Sequence, residues 1–208
     1  MESRLAYLDA YIELPEEILK AALVLNRQIT ASAGGDIDFA HGTIPHVTLY
    51  MGLFPEQEIA SVKGELAKIA AGTSPFQISL HGIKTGRDGY LFWNADVGTA
   101  LRRLHEVIVT AINPLRRGAI RDKYLSGSNG FSEDERRNIR EYGFPWVFQQ
   151  FRPHLTIGCI DEKKTAITAS VLGHPCVSGN VTAIALGTVG ERGVILSAGD
   201  TFRFSGCT

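Results

Sequence analysis

Two four-residue segments, one in each half of the chain, constrain the fold of this sequence more than any other feature. They are His46-Val47-Thr48-Leu49 and His154-Leu155-Thr156-Ile157, and each directly follows a proline. Both lie in runs rich in aliphatic and β-branched residues, which are typical of strands. Side chains alternate between the two faces of a strand, so histidine and threonine share one face while the aliphatic residues point into the core. Each motif therefore presents an imidazole beside a hydroxyl.

The remaining segments predict strands and helices in an order that partly repeats. Residues 5–14 alternate apolar and polar side chains like a strand, and Pro15-Glu16-Glu17 opens a helix, with proline in the first turn and acids near the positive end of the helix dipole. The other predicted elements are a motif strand in 44–53, a helix at 55–71, strands at 76–83 and 90–97, a helix at 99–115, a short polar helix near 132–141, a motif strand in 148–160, a helix at 165–172 and a hairpin at 181–189 and 194–204. Strand, helix and motif strand thus occur twice, and hairpins are frequent. We expect an α+β fold with largely antiparallel sheets, formed by one domain over residues 1–208.

Composition excludes several classes of protein. The 208 residues are 44% hydrophobic and 21% charged, with a net charge of -1, which is ordinary for a globular protein and provides no basic surface for duplex nucleic acid. Three cysteines without a CxxC pair are not a disulfide framework, and neither a signal peptide nor an apolar run of membrane-spanning length is present. We expect a cytoplasmic monomer that binds a small nucleotide or an RNA end, without contact to a membrane.

The chemistry of the two motifs suits an in-line displacement at phosphorus. If the two strands meet across a cleft, one neutral histidine can take a proton from the attacking oxygen while the other, protonated, gives one to the leaving oxygen. The hydroxyls of Thr48 and Thr156 can donate to the non-bridging phosphate oxygens. A purely structural role, in which each histidine only hydrogen-bonds locally, explains one motif well and two matched motifs poorly. No spacing of His, Cys and Asp predicts a metal site, and no glycine-rich loop predicts a cofactor.

The paired motifs resemble those of the two-histidine (2H) phosphoesterase superfamily, which includes the LigT-like RNA 2',3'-cyclic phosphodiesterases known as 2'-5' RNA ligases. The resemblance implies a bilobal fold, with two antiparallel sheets and flanking helices related by a pseudo-two-fold axis, and a groove between the lobes. It implies that His46 and His154 are the acid and base, with Thr48 and Thr156 as phosphate ligands. We therefore expect a metal-independent phosphodiesterase acting on 2',3'-cyclic phosphates of RNA ends or nucleotides. A 2',5'-oligonucleotide or cyclic-nucleotide phosphodiesterase, or a non-catalytic nucleotide-binding module of the same fold, are the alternatives.

A second resemblance is local. Residues 142–154 are similar to the run before the second motif in a branch of the superfamily found with phosphonate-utilisation genes. The first motif departs from that branch, because Val47 stands where the branch tends to carry a small residue.

Five further residues are candidates for substrate binding, each with a structural alternative. Tyr50 lies two residues after Thr48 and could flank a base or pack beneath the groove, and Arg152 could bind phosphate or form a surface salt bridge. Trp146 and Phe148 could stack on a base or belong to the core. Tyr124 lies in a polar insert at about residues 116–143, which either closes over a phosphate or is a solvated connector.

Overall fold

The computed structural model describes residues 4–126 and 130–206, and its strands form one antiparallel sheet. The strand order is β6-β3-β4-β5-β2-β1-β7-β8. The strands are β1 Leu5–Ile12, β2 Val47–Pro55, β3 Phe76–Thr85, β4 Tyr90–Ala95, β5 His154–Cys159, β6 Cys176–Val181, β7 Ala183–Val189 and β8 Ile195–Arg203. With the helices this is the α+β, antiparallel fold that the sequence predicts.

The sheet consists of two four-stranded halves that meet at the motif strands. β2 and β5 are joined by one antiparallel residue pair, Val47 with Leu155. On its outer side, each motif strand pairs with the strand that comes before it in the chain. β1 lies beside β2, and β4 lies beside β5. The arrangement is compatible with a pseudo-two-fold relation. The two expected sheets are, however, joined into one at this pair.

The helices cover both halves of the sheet, and two of them, α1 and α3, pack against the half that does not contain the strand before them. They are α1 Glu16–Ala33, α2 Ile59–Ala71, α3 Thr99–Ile112, α4 Asp122–Ser126, α5 Glu133–Tyr142 and α6 Glu162–Leu172. α1 connects β1 to β2 yet packs against β5 and β6, and α3 connects β4 to β5 yet packs against β2. α2 lies on β7 and β8, and α6 on β3 and β4. Each half of the sheet thus carries helices from both parts of the chain.

Most predicted elements are confirmed, since local signals determine them. The helix predicted at 99–115 is α3, with Leu101, Leu104, Ile108 and Ile112 buried on one side. The predicted helix at 165–172 starts earlier, at Glu162, because the Asp161 side chain caps it by accepting from the Lys163 N–H. The sequence analysis did not predict β6, because its segment carries glycine and polar residues and forms an edge strand that pairs only with β3 among the described strands.

The polar insert is packed into the protein. Its second helix, α5, begins with the predicted capping box, in which the Ser132 hydroxyl accepts from the Glu135 N–H and the Glu135 carboxylate accepts from the Ser132 N–H. Tyr124 and Ile139 belong to the hydrophobic core, so a solvated connector is the wrong description of this segment. Residues 127–129 of the predicted glycine-rich loop lie outside the described residues.

Three findings concern the expectations drawn from composition. Among the helices that the structure describes, none has both the length and the apolar character needed to cross a bilayer. Over the same residues, no group of three or more His, Cys, Asp or Glu side chains is placed to hold a metal ion. Cys159 is buried and Cys176 exposed, both as free thiols, while Cys207 lies outside the described residues.

Candidate active site

The junction of β2 and β5 brings the two motifs together. Val47 pairs with Leu155, and antiparallel strands run in opposite directions, so one step from this pair places His46 beside Thr156 and Thr48 beside His154. The charge of His154 also contributes to lowering the pKa of His46. Each imidazole is thus a neighbour of the other motif's threonine, and all four side chains lie on one face of the sheet.

Both histidines are oriented by the same local device. The His46 Nδ1 lies 2.8 Å from the carbonyl oxygen of Ile44, and the His154 Nδ1 lies 2.7 Å from the carbonyl oxygen of Arg152. A carbonyl only accepts, so Nδ1 carries the proton in each neutral ring and Nε2 keeps a free lone pair. The proline between each carbonyl and its histidine fixes the backbone turn that allows this contact. Each Nε2 can therefore receive a proton.

An aromatic ring supports each imidazole from the neighbouring strand. The Tyr11 ring on β1 lies edge-on to His46 with centroids 5.5 Å apart, and the Phe92 ring on β4 lies 4.2 Å from His154. Tyr11 pairs with Thr48 and Phe92 with Thr156, and in both halves the register shifts immediately before the aromatic residue. Each half of the site thus has its own aromatic ring and its own β-bulge, in equivalent positions.

Asp9 is a site residue that the sequence analysis missed. It is fully buried on β1, where its Oδ2 accepts a 2.6 Å hydrogen bond from the Thr48 hydroxyl and lies 3.5 Å from the His46 Nε2. Its other oxygen is buried without a hydrogen-bond partner. The only available signal was the alternation of β1, which places Asp9 on the face shared by Tyr7 and Tyr11.

Burial controls the protonation of these groups. It raises the pKa of Asp9 well above its ordinary value, against the opposing effect of the Thr48 hydrogen bond. It lowers the pKa of His46 to about 4 and that of His154 in the same direction, while the hydrogen bonds to the Ile44 and Arg152 carbonyls oppose both shifts. Burial thus favours the uncharged forms of both Asp9 and His46, so their 3.5 Å contact is not strengthened as an ion pair.

The threonines differ in their partners. The Thr48 hydroxyl is engaged by Asp9, whereas no hydrogen bond of the Thr156 side chain is found within the described residues. The structure thus brings together the four motif residues predicted to act in catalysis, His46, Thr48, His154 and Thr156. Of the two threonine hydroxyls, that of Thr156 is the one without a hydrogen bond among the described residues.

Tyr50 does not flank the groove, and its predicted role in substrate binding is wrong. It is fully buried, and its hydroxyl donates to the carbonyl oxygen of Tyr142 at 2.6 Å and to Asn113 at 3.0 Å. The physical reason is a β-bulge, because β1 pairs Ala10 with Tyr50 and the next residue with Thr48, leaving Leu49 unpaired. The extra residue reverses the alternation, so Tyr50 points to the core.

The remaining candidates lie at different distances from the histidines. The Trp146 ring packs edge-on against His154 with centroids 5.6 Å apart, and its indole N–H donates to Glu135 at 3.2 Å. The exposed Arg152 side chain pairs with Glu135 at 3.4 Å, which is the salt-bridge alternative, and its contribution to the site is its backbone carbonyl.

Phe148 packs against His105 and Tyr142, away from the motif histidines. Tyr124, within the insert, is buried, and its ring centroid lies 5.9 Å from that of Phe131.

Comparisons with known proteins identify the family of this chain. The sequence model of the 2'-5' RNA ligase superfamily matches residues 27–188. The crystal structure of TT0787 from Thermus thermophilus has a TM-score of 0.62 at 20% identity, over 96% of this chain and 98% of that one. E. coli LigT complexed with 3'-AMP has a TM-score of 0.57 at 14% identity, over 98% of this chain and 99% of that one. Among curated sequences, no relative matches significantly. The chain belongs to the 2'-5' RNA ligase superfamily of two-histidine phosphoesterases.

Proposed function

We propose that this protein is a phosphodiesterase that opens 2',3'-cyclic phosphates on RNA ends or nucleotides, with His46 and His154 as its acid-base pair. One observation carries the proposal: two imidazoles meet at a strand junction, and a backbone carbonyl holds Nδ1 of each, so that Nε2 is the nitrogen that can exchange a proton. Two proton-transfer groups are more than a pure binding module requires, and that alternative has no specific observation in its favour.

The reaction needs one protonated and one neutral histidine. The neutral imidazole takes the proton of the attacking water at Nε2 as its oxygen bonds to phosphorus, and the imidazolium gives its Nε2 proton to the ribose oxygen whose bond to phosphorus breaks. The Thr156 hydroxyl, and that of Thr48 if it turns from Asp9, would donate to the non-bridging oxygens. One product is a phosphate monoester, and the enzyme regains its proton by exchange between the two rings and water.

A bound phosphate would stabilise the protonated histidine that the reaction needs. Burial lowers the pKa of both histidines, so the free protein holds them neutral near pH 7. A phosphate anion between the rings favours an imidazolium and raises the pKa. We therefore expect the pH optimum of kcat, which reflects the bound state, to lie above that of kcat/KM, which reflects the free enzyme.

Solved relatives support the substrate class without determining it. E. coli LigT, whose fold this chain shares, has been crystallised with phosphate and with 3'-AMP. A nucleotide with a phosphate on its ribose is the kind of ligand that the proposed reaction releases.

The test is a substrate panel run in excess EDTA. The panel contains 2',3'-cyclic nucleotides, 3',5'-cyclic nucleotides and 2',5'-linked dinucleotides, with product regiochemistry determined by phosphorus NMR. We expect hydrolysis of the 2',3'-cyclic members and a loss of about 10²- to 10⁴-fold in kcat for His46→Ala and for His154→Ala. His41→Ala is the matched control, because His41 is exposed and pairs with Asp38 on a loop. Full activity in either motif variant, or turnover that requires added metal, would refute the mechanism.

A further inference from the structure

One cation of the insert, Arg121, lies over the same face of β1 as the site, and a second, Lys123, lies close to it. The guanidinium of Arg121 stacks on the Tyr7 ring, 3.9 Å from its centroid. Tyr7 is two residues before Asp9 on β1, so both side chains are on the face that carries Thr48 and His46, about 7 Å apart along the strand. The Tyr7 hydroxyl donates to the Sδ of Met51 at 2.7 Å, which fixes the ring on this face. The stacked guanidinium therefore adjoins the candidate active site.

Neither cation has an anionic partner in the described part of the chain. No ion pair found there involves Arg121 or Lys123, and the Arg121 Nη1 is buried without a hydrogen-bond partner. Lys123 is an exposed residue, and its pKa is lowered to about 8 by desolvation and then by the charge of Arg121, so the two like charges are close. The Lys123 ammonium also lies 4.9 Å from the Tyr124 ring centroid. Holding two such cations together is unfavourable unless an anion joins them.

The geometry of Arg121 suits a phosphate. A guanidinium that stacks through its face can still present N–H groups on its edge to two phosphate oxygens, and the Nη1 of Arg121 has no hydrogen-bond partner among the described residues. Tyr124, buried beside Lys123, is hydrogen-bonded to Tyr7 on β1 and so anchors the insert to this strand. The Arg121 guanidinium, stacked on the same Tyr7 ring, is therefore held in place before any ligand arrives.

We propose that Arg121 and Lys123 form a second anion subsite, which binds a phosphate of the substrate other than the one that reacts. The proposal rests on the proposed function and narrows its substrate. Tyr7, which carries Arg121, and Asp9, which contacts Thr48, are two residues apart on β1. The distance between them along the strand, about 7 Å, is comparable to the separation of two phosphates carried on one ribose. The preferred substrate is thus a 2',3'-cyclic phosphate whose ribose also carries a 5'-phosphate, as in a 5'-nucleotide or the 3' end of an RNA chain.

The first experiment compares adenosine 2',3'-cyclic phosphate bearing a 5'-phosphate with the same compound bearing a 5'-hydroxyl. For the natural protein we expect kcat/KM to be about ten- to a hundredfold higher with the 5'-phosphate, as for a charge-assisted contact. Arg121→Gln and Lys123→Gln should bring this ratio towards one. Arg103→Gln is the matched control, since Arg103 is exposed on α3, and it should keep the ratio. A ratio near one in the natural protein, or one unchanged in Arg121→Gln, overturns the subsite.

A binding measurement separates this proposal from the proposed function. If neither compound is hydrolysed, the proposed function fails, and calorimetry with adenosine 3',5'-bisphosphate and with 3'-AMP still tests the subsite. We expect the bisphosphate to bind at least about tenfold tighter, with the difference lost in Arg121→Gln. Equal dissociation constants for the two nucleotides refute the subsite whether or not the protein is an enzyme.

Discussion

Asp9 shows how single residues of this site are held in states that they would not adopt in water. Its carboxyl is fully buried between Thr48 and His46, and burial raises its pKa well above the ordinary value. The folded protein keeps this proton at pH values where the unfolded chain releases it, so the contribution of Asp9 to stability falls as the pH rises from about 4. Each unit by which the pKa is raised corresponds to about 1.4 kcal/mol at a pH above both values.

Asp9→Asn should therefore be more stable and less active than the natural protein. An amide keeps the neutral state and can donate to the free Nε2 of His46, but it cannot release a proton when that ring becomes an imidazolium. We expect the Tm at pH 8 to rise by at least about 3 °C, and the gain to shrink towards pH 4. The rate on a 2',3'-cyclic nucleotide should fall at least about tenfold.

The control for this variant is Asp38→Asn, which changes a partly exposed acid that pairs with His41 and accepts from the Ala40 N–H. It should lack the pH-dependent gain in Tm. An Asp9→Asn protein that melts below the natural one at every pH would show that Asp9 is ionised in the folded state.

At the scale of elements, α3 ties both motif segments together through one side chain. His105 is fully buried, with its Nδ1 2.7 Å from the carbonyl oxygen of Leu49 and its Nε2 accepting from the Phe148 N–H at 2.8 Å. Leu49 is the bulged residue of β2, so its carbonyl is available to His105, and Phe148 has a left-handed φ of 51°. The ring also stacks on Phe151 at 3.8 Å. One imidazole thus stabilises the bulge after the first motif and the turn before the second.

His105→Ala should destabilise the protein by about 3 kcal/mol or more, because it leaves two buried backbone groups unpaired and opens a cavity. Burial lowers the pKa of His105 to about 4, so its neutral form contributes stability that is present above about pH 6.5 and lost as the pH falls from there to 4. Urea unfolding across that window should therefore show a shallower pH dependence for the variant. His174→Ala, at an exposed position outside any helix or strand, should match the natural protein. An unchanged pH slope in His105→Ala would mean that other groups cause the acid sensitivity.

The elements were predictable where their signals are local, and the site was predictable only in part. Proline and acids at the start of α1, and the capping box of α5, act over a few residues and give nearly correct boundaries. The two motifs identify His46 and His154, because period-two alternation holds within each. Alternation fails one residue later, at the bulge that sends Tyr50 into the core, since bulges depend on the partner strand. Asp9 could not be identified from the sequence, because only the pairing of β1 with β2 brings it to Thr48.

At the scale of the whole molecule, the two halves of the sheet depend on each other. One backbone pair, Val47 with Leu155, joins the strands directly. Helices that cross between the halves add to the connection, as does Arg192 between β7 and β8, which contacts Tyr90 and Cys159. β7 and β8, from the end of the chain, complete the half that begins with β1. The strands of the other half, β3 to β6, are consecutive in the chain, but α1 packs against β5 and β6 while α3 packs against β2. The position of one histidine relative to the other therefore depends on helices that pack across the junction.

A core truncation in one half should therefore unfold both halves together. Ile184 is fully buried on β7, whereas Trp93 is fully buried on β4 in the other half. We expect Ile184→Ala to cost about 3 kcal/mol and to lower the Tm by roughly 6–12 °C, with tryptophan fluorescence and far-UV circular dichroism giving the same midpoint. The exposed Ile167→Ala on α6 is the matched control and should leave that midpoint unchanged. A fluorescence transition that stays at the natural temperature while the dichroism shifts would show that the halves unfold separately. The two histidines would then belong to units that unfold independently. The single residue pair between β2 and β5 would not be enough to hold one histidine in place relative to the other.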